Sequence, residues 1–190
     1  CRLRVSRDDA GRRLGLGVVR VGFLPGWGGR ARMVPLIGCF KAMDLFLSGR
    51  SVDGRTGIRM GLVDRVVPER NLRSTARSMV LDAPPPHTAS FTERLTNSAL
   101  VRPLLASVFR KQVAKRASQL HYPAPYAMID VWRKHANDKA GMLRAEAESL
   151  AALVTGATAK NLVRVFFLQD QLKALGTDTT SQPTPVHDIG

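Results

Sequence analysis

A glycine-rich junction at residues 21–29 constrains the fold more than any other stretch of this chain. It reads Val-Gly-Phe-Leu-Pro-Gly-Trp-Gly-Gly, so an apolar run with high strand propensity meets a Pro-Gly turn and then a pair of glycines. Glycine tolerates positive φ angles and lets the backbone approach a ligand closely. A helix that begins after the glycines presents unpaired N–H groups, which can bind an oxyanion or an ordered water. A tight turn without any ligand is the alternative interpretation.

Short amphipathic segments follow the junction. Residues 30–37 predict a helix, and residues 40–47 predict a second one with apolar side chains on one face. Residues 51–60 predict a weaker helix because glycines interrupt it, and residues 61–68 predict a short strand that ends at a proline. We expect five side chains of these elements and of a later helix to lie in the core: Phe40, Met43, Phe46, Val66 and Phe166.

A proline run divides the chain into two parts. Before it, residues 2–6 alternate polar and apolar side chains as a strand does, and residues 71–81 predict a helix that Asn71 caps. The prolines at 84–86 remove backbone donors and fix φ, so we place a boundary after residue 81. Beyond it the apolar spacing predicts four helices. Their apolar stripes fit core or subunit packing better than a cofactor site.

Basic residues far outnumber acidic ones. The chain has 29 Lys and Arg against 15 Asp and Glu, a net charge of +14, which raises nucleic-acid binding as a hypothesis. The arginines are scattered, however, and only residues 110–116 hold basic side chains at helical spacing, as a solvated face does. We therefore expect no nucleic-acid partner. The basic surface also suits a ligand with several phosphates.

The cysteines and histidines indicate neither a metal site nor a nucleophilic triad. The two cysteines, Cys1 and Cys39, cannot form a disulfide framework, and the four histidines have no partner at a recognisable catalytic or metal-ligand spacing. No apolar run approaches the ~20 residues that a membrane-spanning helix needs. These observations favour a reducing compartment, and we expect no transmembrane segment.

Four motifs, in this order, resemble the enoyl-CoA hydratase/isomerase (crotonase) superfamily. They are Leu-Gly-Leu at 14–16, the glycine-rich junction, Leu-Ser-Gly at 47–49 after the second helix, and Gly-Leu-Val-Asp-Arg-Val-Val-Pro at 61–68. The downstream helices extend the resemblance to about residue 175. Within the superfamily, the chain is most similar to the hydratase domain of bifunctional fatty acid oxidation α-subunits.

The resemblance implies an α/β fold of the crotonase (ClpP/crotonase-like) type. Residues 1–81 would form the C-terminal part of its spiral β-β-α core, and residues 82–175 the helical C-terminal region of the same hydratase domain. Residues 176–190 would form a linker and the start of a Rossmann-type dehydrogenase domain, which would bind NAD. We therefore expect the gene to continue on both sides of this sequence.

The resemblance also implies a catalytic site at the junction. Hydration of an α,β-unsaturated thioester needs N–H donors for the enolate oxygen and carboxylates that move protons. In the family a catalytic glutamate occupies the position of Val18, which can neither accept nor donate a proton, and the other glutamate and the oxyanion donors would precede Cys1. The backbone N–H of Gly26, which positions the catalytic water in the family, carries over. The implied substrate-binding run consists of Leu24, Pro25, Gly26, Trp27 and Gly28.

We predict an enoyl-CoA hydratase/isomerase-family domain that acts on acyl-CoA thioesters in fatty acid β-oxidation, as the resemblance implies. Coenzyme A is part of the substrate, and no cofactor or metal is expected within these residues. Val18 leaves open whether the chain is an enzyme, and Arg30-Ala31, which replaces the family's usual Thr-Gln, is a departure that we expect to matter less.

Two other function classes remain open. One is a catalytically inactive crotonase-fold protein that binds acyl-CoA or a partner, which the substitution at Val18 favours. The other, less favoured, is a basic nucleic-acid-binding module. The resemblance further implies a thiolase β-subunit or self-association as partners of the full-length protein. It implies the bacterial cytoplasm as the location, with the mitochondrial matrix as the alternative.

Overall fold

Helices make up most of the computed structural model, which describes residues 2–9, 11 and 13–176. The helices are α1 (Gly29–Ile37), α2 (Cys39–Ser48), α3 (Gly54–Met60), α4 (Leu72–Asp82), α5 (Phe91–Leu95), α6 (Arg102–Ala114), α7 (Ala124–His135), α8 (Lys139–Thr155) and α9 (Ala157–Gly176). The strands are β1 (Val5–Arg7), β2 (Leu14–Gly15), β3 (Ser51–Val52) and β4 (Arg65–Val67). Short 3-10 helices form at Gly17–Val21 and Glu69–Asn71. The predicted helices over 30–37, 40–47 and 71–81 and the four beyond the proline run are confirmed.

The prediction of a single helix over 51–60 is wrong at its start. Ser51 and Val52 form β3, and α3 begins only after Asp53, whose carboxylate accepts a hydrogen bond from Thr56 N–H at 2.7 Å. Such a side-chain acceptor satisfies one of the unpaired N–H groups at a helix start. Asn71 occupies the N-cap position of α4, as predicted, but its side chain makes no capping hydrogen bond.

The strands form two small sheets in the described part of the chain. β1 pairs in parallel with β4, with Ser6 opposite Val66, and β2 pairs with β3 in the antiparallel orientation. Just before β1, Arg4 donates from its backbone N–H to Asp64 Oδ2 at 2.6 Å and from Nη2 to Oδ1 at 2.7 Å. Burial disfavours the charge of Asp64, but the hydrogen bonds and charge of Arg4 outweigh it and keep the pKa of Asp64 below its ordinary value.

The apolar, strand-prone run before the Pro-Gly turn does not form a strand: a 3-10 helix ends at Val21, and residues 22–24 follow it in a turn and an irregular segment. Gly22 N–H donates to the Val19 carbonyl at 3.0 Å, and Phe23 N–H donates to the Val18 carbonyl at 3.1 Å. Strand propensity reflects how side chains pack on a pleated surface. Because no described strand pairs with this run, local hydrogen bonds determine its conformation.

Side chains from both sides of the proline run share one core. Met43 and Phe46 of α2 are 0% exposed, as are Ile129 and Trp132 of α7. Phe109 of α6 packs edge to face on Trp132 with ring centroids 5.9 Å apart. Such aromatic pairs contribute about 0.5–1.5 kcal/mol beyond the burial of their area. The loop after α4 therefore connects two parts of one packed unit.

Only two of the five predicted core side chains, Met43 and Phe46, are fully buried. Phe40 is 49% exposed, because it lies at the edge of a cleft with its ring 5.7 Å from that of Phe109. Phe166 is 54% exposed in a part of α9 where neighbouring residues are exposed as well. Val66 is half-buried in β4, which has a single partner strand among the described residues. Helical or strand spacing alone did not reveal these local environments.

No helix in the described ranges is by itself long and apolar enough to cross a bilayer. α8 and α9 reach the required length and composition only as a pair, and the two helices are bent by 68° at their junction.

Candidate functional site

The glycine-rich junction forms a loop at residues 22–29, which we call the glycine loop. The loop leaves the 3-10 helix at Gly22, with φ 81°, and enters α1 through Gly28, with φ 80°. Both are left-handed conformations that favour glycine. Trp27 is 83% exposed, whereas the other residues of the implied substrate-binding run are buried together: Leu24, Pro25, Gly26 and Gly28.

Helices α8 and α9 lie directly against the glycine loop. A Cβ atom added to Gly26 would lie 2.2 Å from Leu150 Cδ2 of α8. At Gly22 the added atom would lie 3.3 Å from Ala159 Cα of α9. The first separation is far below a van der Waals contact, so any side chain at Gly26 would displace Leu150. Gly26 is therefore required for packing, and Gly22 also for its left-handed conformation.

The water position that the resemblance implies lies beside Gly26. In residues 2–9, 11 and 13–176, the Gly26 N–H has no hydrogen-bond acceptor. Val18 is half-buried, and its carbonyl is occupied by Phe23 N–H. The first glutamate after Val18 in the sequence is Glu69, whose carboxylate is exposed and pairs with Arg7 at 2.8 Å. That the Val18 side chain faces the water beside Gly26 stays a prediction.

A buried ion pair joins the start of α1 to α8, and sequence analysis did not predict it. Arg30 Nε donates to Glu146 Oε1 at 3.1 Å, and both side chains are 0% exposed. Gly28 N–H donates to Glu146 Oε2 at 2.7 Å. Arg30 Nη1 donates to the Met128 carbonyl of α7 at 2.7 Å. Glu146 thus fixes the end of the glycine loop, and Arg30 ties the loop to α7.

Burial dominates the electrostatics of this pair. Desolvation lowers the pKa of the Arg30 guanidinium, and the charge and hydrogen bond of Glu146 oppose the lowering. Removing a charge from water costs several kcal/mol unless a partner compensates it. Arg30 Nη2 is also buried and has no hydrogen-bond partner among the described residues.

Arg30 joins α1, α7 and α8, a set of contacts that sequence analysis did not predict. One sequence signal could have revealed the pair. Glu146 lies three residues after Leu143 and four before Leu150, so a carboxylate shares one helical face with apolar side chains. A charged residue at such a position needs a buried partner.

A cleft of about 390 Å³ lies between α2 and α6. Tyr122 lines it and donates its hydroxyl hydrogen to the Val19 carbonyl, so the cleft borders the 3-10 helix. Burial raises the pKa of Tyr122, which keeps the phenol protonated near neutral pH. The apolar wall comprises Phe40, Leu47, Phe109, Val113 and Pro125. No residue of the glycine loop lines this cleft, so it is separate from the predicted site.

The remaining titratable groups show no catalytic or metal-binding arrangement in the described ranges. No group of three or more His, Cys, Asp or Glu side chains there could hold a metal ion. Burial raises the pKa of the Cys39 thiol to about 12, although the charge of Arg102 opposes the shift. His87 packs against Gly61, where an added Cβ would lie 2.0 Å from its Nε2. His187, like the rest of residues 177–190 of the predicted linker and dehydrogenase start, lies outside the described residues.

The sequence of this chain is similar to one family and to longer bacterial proteins. A profile described as "Enoyl-CoA hydratase/isomerase" matches residues 1–120. The fatty acid oxidation complex subunit alpha of Shewanella sp. (strain MR-4) is 34% identical over 178 residues, and that of Shewanella amazonensis is 36% identical over 178 residues. Each alignment covers 91% of this chain and 25% of the relative. The chain therefore spans about a quarter of the length of these relatives.

Two solved structures have a similar fold. The enoyl-CoA hydratase/isomerase from Pseudoalteromonas atlantica T6c has a TM-score of 0.53 at 20% identity, over 89% of this chain and 54% of that one. The carnitinyl-CoA hydratase from Mycobacterium avium has a TM-score of 0.50 at 22% identity, over 88% of this chain and 52% of that one. At these identities the similarity establishes the fold alone.

Proposed function

This chain belongs to the enoyl-CoA hydratase/isomerase family, and we propose that it is part of a domain that binds and hydrates enoyl-CoA thioesters in fatty acid β-oxidation. Its fold is of the crotonase type, represented by part of the α/β core and a helical C-terminal region. The observation that carries the proposal is the family match over residues 1–120, which contain the whole glycine loop. The similarity to fatty acid oxidation α-subunits over 91% of the chain supports β-oxidation as the process.

In the proposed reaction, the N–H of Gly26 binds the water that adds to the β-carbon of the thioester. A backbone donor on a packed loop is preorganised, so it needs little reorganisation when the water reacts. One proton must leave that water and one must reach the α-carbon, and Val18 can do neither. We propose that the other carboxylate and the oxyanion donors lie outside this chain, and that hydration is slow because position 18 lacks the second carboxylate.

The proposal assigns no resident cofactor to these residues. Coenzyme A arrives as part of the substrate, and NAD would bind to a dehydrogenase domain that follows in the gene. The bacterial cytoplasm is the proposed location, in keeping with the Shewanella origin of the relatives.

The test is Val18→Glu in the protein expressed from its whole gene. We expect crotonyl-CoA hydration, followed as loss of the enoyl absorbance, to rise roughly 10²–10⁴-fold, since that is what general acid–base groups contribute. The Kd for crotonyl-CoA, from isothermal titration calorimetry, should change little. Val18→Gln is the matched control, because it adds a polar side chain of similar length without a base. If the wild type hydrates as fast as the Glu variant, another residue is the base and the role given to position 18 is wrong.

A catalytically inactive acyl-CoA-binding protein is the second candidate, and Val18 is the observation that favours it. The same experiment separates the two candidates. Tight binding of crotonyl-CoA by the wild type, without hydration, supports the inactive protein. Absence of binding by the protein from the whole gene contradicts both.

We further propose that the protein self-associates through α9. Large apolar side chains on this helix are between 46% and 74% exposed: Val165, Phe166, Phe167, Leu168, Leu172 and Leu175. An exposed apolar patch of this kind marks an interaction surface. A second copy is a suitable partner, because a two-fold interface places the same patch on both subunits. Association with a thiolase β-subunit, which the resemblance implies for the full-length protein, stays a prediction.

Light scattering during gel filtration tests the association. We expect Phe166→Ser to shift the wild-type oligomer towards the monomer. Leu120→Ser is the control, since Leu120 is 83% exposed in a turn away from α9. A monomeric wild type, or equal shifts in both variants, would exclude α9 as the interface.

A further inference from the structure

Two side chains of the C-terminal helical region bind the backbone on either side of Gly26. Tyr122, in the segment between α6 and α7, donates its hydroxyl hydrogen to the Val19 carbonyl, just before the glycine loop. Glu146 of α8 accepts a hydrogen bond from Gly28 N–H at 2.7 Å, at the end of the loop. The Gly26 N–H therefore lies between two points that the C-terminal region fixes.

The Val19 carbonyl connects Tyr122 to the start of the glycine loop. It also accepts a hydrogen bond from Gly22 N–H at 3.0 Å, so both of its lone pairs are used. Gly22, with φ 81°, is the residue at which the chain leaves the 3-10 helix. Burial raises the pKa of Tyr122, while Gly22 N–H and the charge of Arg20 oppose the shift, so both groups lie close to the phenol oxygen. The hydroxyl thus acts on the backbone that sets the direction of the loop.

Tyr122 is itself held in place. Its backbone N–H donates to the Ser118 carbonyl at 2.9 Å, and Pro123, whose ring fixes φ, follows it directly before α7 begins at Ala124. Its side chain is half-buried at the cleft between α2 and α6. A hydrogen-bonding group on a rigid support fixes its partner more precisely than one on a loose segment.

We propose that Tyr122 is a positioning residue for hydration: through the Val19 carbonyl it fixes the start of the glycine loop and thereby the water-binding N–H of Gly26. The inference rests on the proposed function. Catalysis requires that the reacting groups stay in their productive geometry, and small displacements reduce the rate strongly. Loss of the hydroxyl should therefore lower kcat and leave KM nearly unchanged.

The other of the two tyrosines provides a matched control. The hydroxyl of Tyr126 donates to the Ala117 carbonyl at 2.7 Å, in the segment that follows α6 and outside the glycine loop. Tyr122→Phe and Tyr126→Phe thus each remove one hydrogen bond to a backbone carbonyl and keep the aromatic ring. Both variants should unfold at similar urea concentrations, and only the first should disturb the loop.

Both changes are made in the Val18→Glu protein expressed from its whole gene, in which hydration of crotonyl-CoA should be fast enough to measure. We expect Tyr122→Phe to lower kcat about tenfold, the rate equivalent of one hydrogen bond, with little change in KM. Amide hydrogen exchange, measured by mass spectrometry on peptides covering residues 18–28, should become several-fold faster in the same variant. Tyr126→Phe should alter neither kcat nor this exchange.

Hydrogen exchange separates failure of this inference from failure of the proposed function. Unchanged exchange at residues 18–28 in Tyr122→Phe would overturn the inference, as would faster exchange with an unchanged kcat. Equal effects of both variants on kcat would overturn it too, because they would reflect a general loss of stability. If no variant hydrates crotonyl-CoA, the proposed function is wrong, and the exchange rates alone decide whether Tyr122 holds the loop.

Discussion

Two regions of the molecule contain the same arginine–carboxylate pairing in opposite environments. Between α1 and α8, Arg30 and Glu146 are both 0% exposed. At the end of α2, Arg50 and Asp44 are 48% and 49% exposed. Desolvation lowers the pKa of Arg30, whereas the hydrogen bond that Arg50 donates to Asp44 raises the pKa of Arg50. Burial, and not the chemistry of the pair, determines whether the pKa of the arginine is lowered or raised.

This difference in burial determines how much stability the fold loses when a charge pair is broken. The exposed pair loses little when it breaks, because water replaces each partner. The buried pair cannot lose one partner without leaving the other desolvated. The glycine loop is attached to the buried pair through Gly28 N–H, so its geometry depends on the more sensitive of the two pairs.

The largest effect is expected for Glu146→Leu. Removing one partner of a buried pair typically costs about 3–5 kcal/mol, because the remaining charge is uncompensated. Urea unfolding followed by circular dichroism measures the loss in free energy of unfolding. The double variant Arg30→Met/Glu146→Leu should recover part of it, since no unpaired charge remains. A single variant within about 0.5 kcal/mol of the wild type would show that the pair is not buried in solution, since only surface substitutions are that mild.

Gly26→Ala extends the comparison from charge to packing. The new Cβ would lie 2.2 Å from Leu150 Cδ2, so we expect a loss of about 1–3 kcal/mol in the free energy of unfolding, as for an overpacked core. Gly11→Ala is the matched control, because an added Cβ at Gly11 meets nothing within 4 Å. It should cause no loss and a gain of up to about 1 kcal/mol. Equal losses at both glycines would mean that α8 does not pack against the glycine loop.

The sequence predicted most helices because their apolar spacing is local information. The spacing of Met43 and Phe46 placed them on the buried face of α2. It failed for Phe166, because burial of an amphipathic face depends on which element covers it, and α9 has its apolar side chains exposed. It also failed at residues 51–52, where pairing with β2 decides between strand and helix.

The candidate site was predictable in its glycines and not in its surroundings. The Pro-Gly and Gly-Gly pairs mark the turn at residues 22–29, and the structure uses Gly22 and Gly28 in left-handed conformations. The contact of Gly28 with Glu146 joins residues 118 positions apart. No local pattern encodes such a contact. Only the isolated carboxylate on an apolar face of α8 indicates that a partner exists.

Asp64 lies between the two extremes, with its side chain 19% exposed beside Arg4. The pKa of Asp64 is lowered in the fold, so its ionised form is the one that the fold favours. Its stabilising contribution is therefore present above the unfolded value, roughly 3.9, and is lost as the pH falls through the lower folded pKa. We expect Asp64→Asn to lose about 1–2 kcal/mol at pH 7, from a charge-assisted hydrogen bond, and less at pH 3. A difference from the wild type that stays constant between these values, measured by urea unfolding, would contradict this assignment.

The smallest effect is expected for Asp44→Asn at the exposed pair. Arg50 Nε donates to Asp44 Oδ2 at 2.9 Å, yet both side chains are about half exposed, so solvent screens the attraction. Exposed pairs contribute about 0.2–1 kcal/mol, and the loss should fall within that range at low salt. In about 1 M NaCl the screening length shrinks to about 3 Å, so the loss should nearly disappear. The loss from Glu146→Leu should persist in the same salt, because ions do not reach a fully buried pair. If the two losses were alike in size and in salt dependence, burial would not be what distinguishes the two regions.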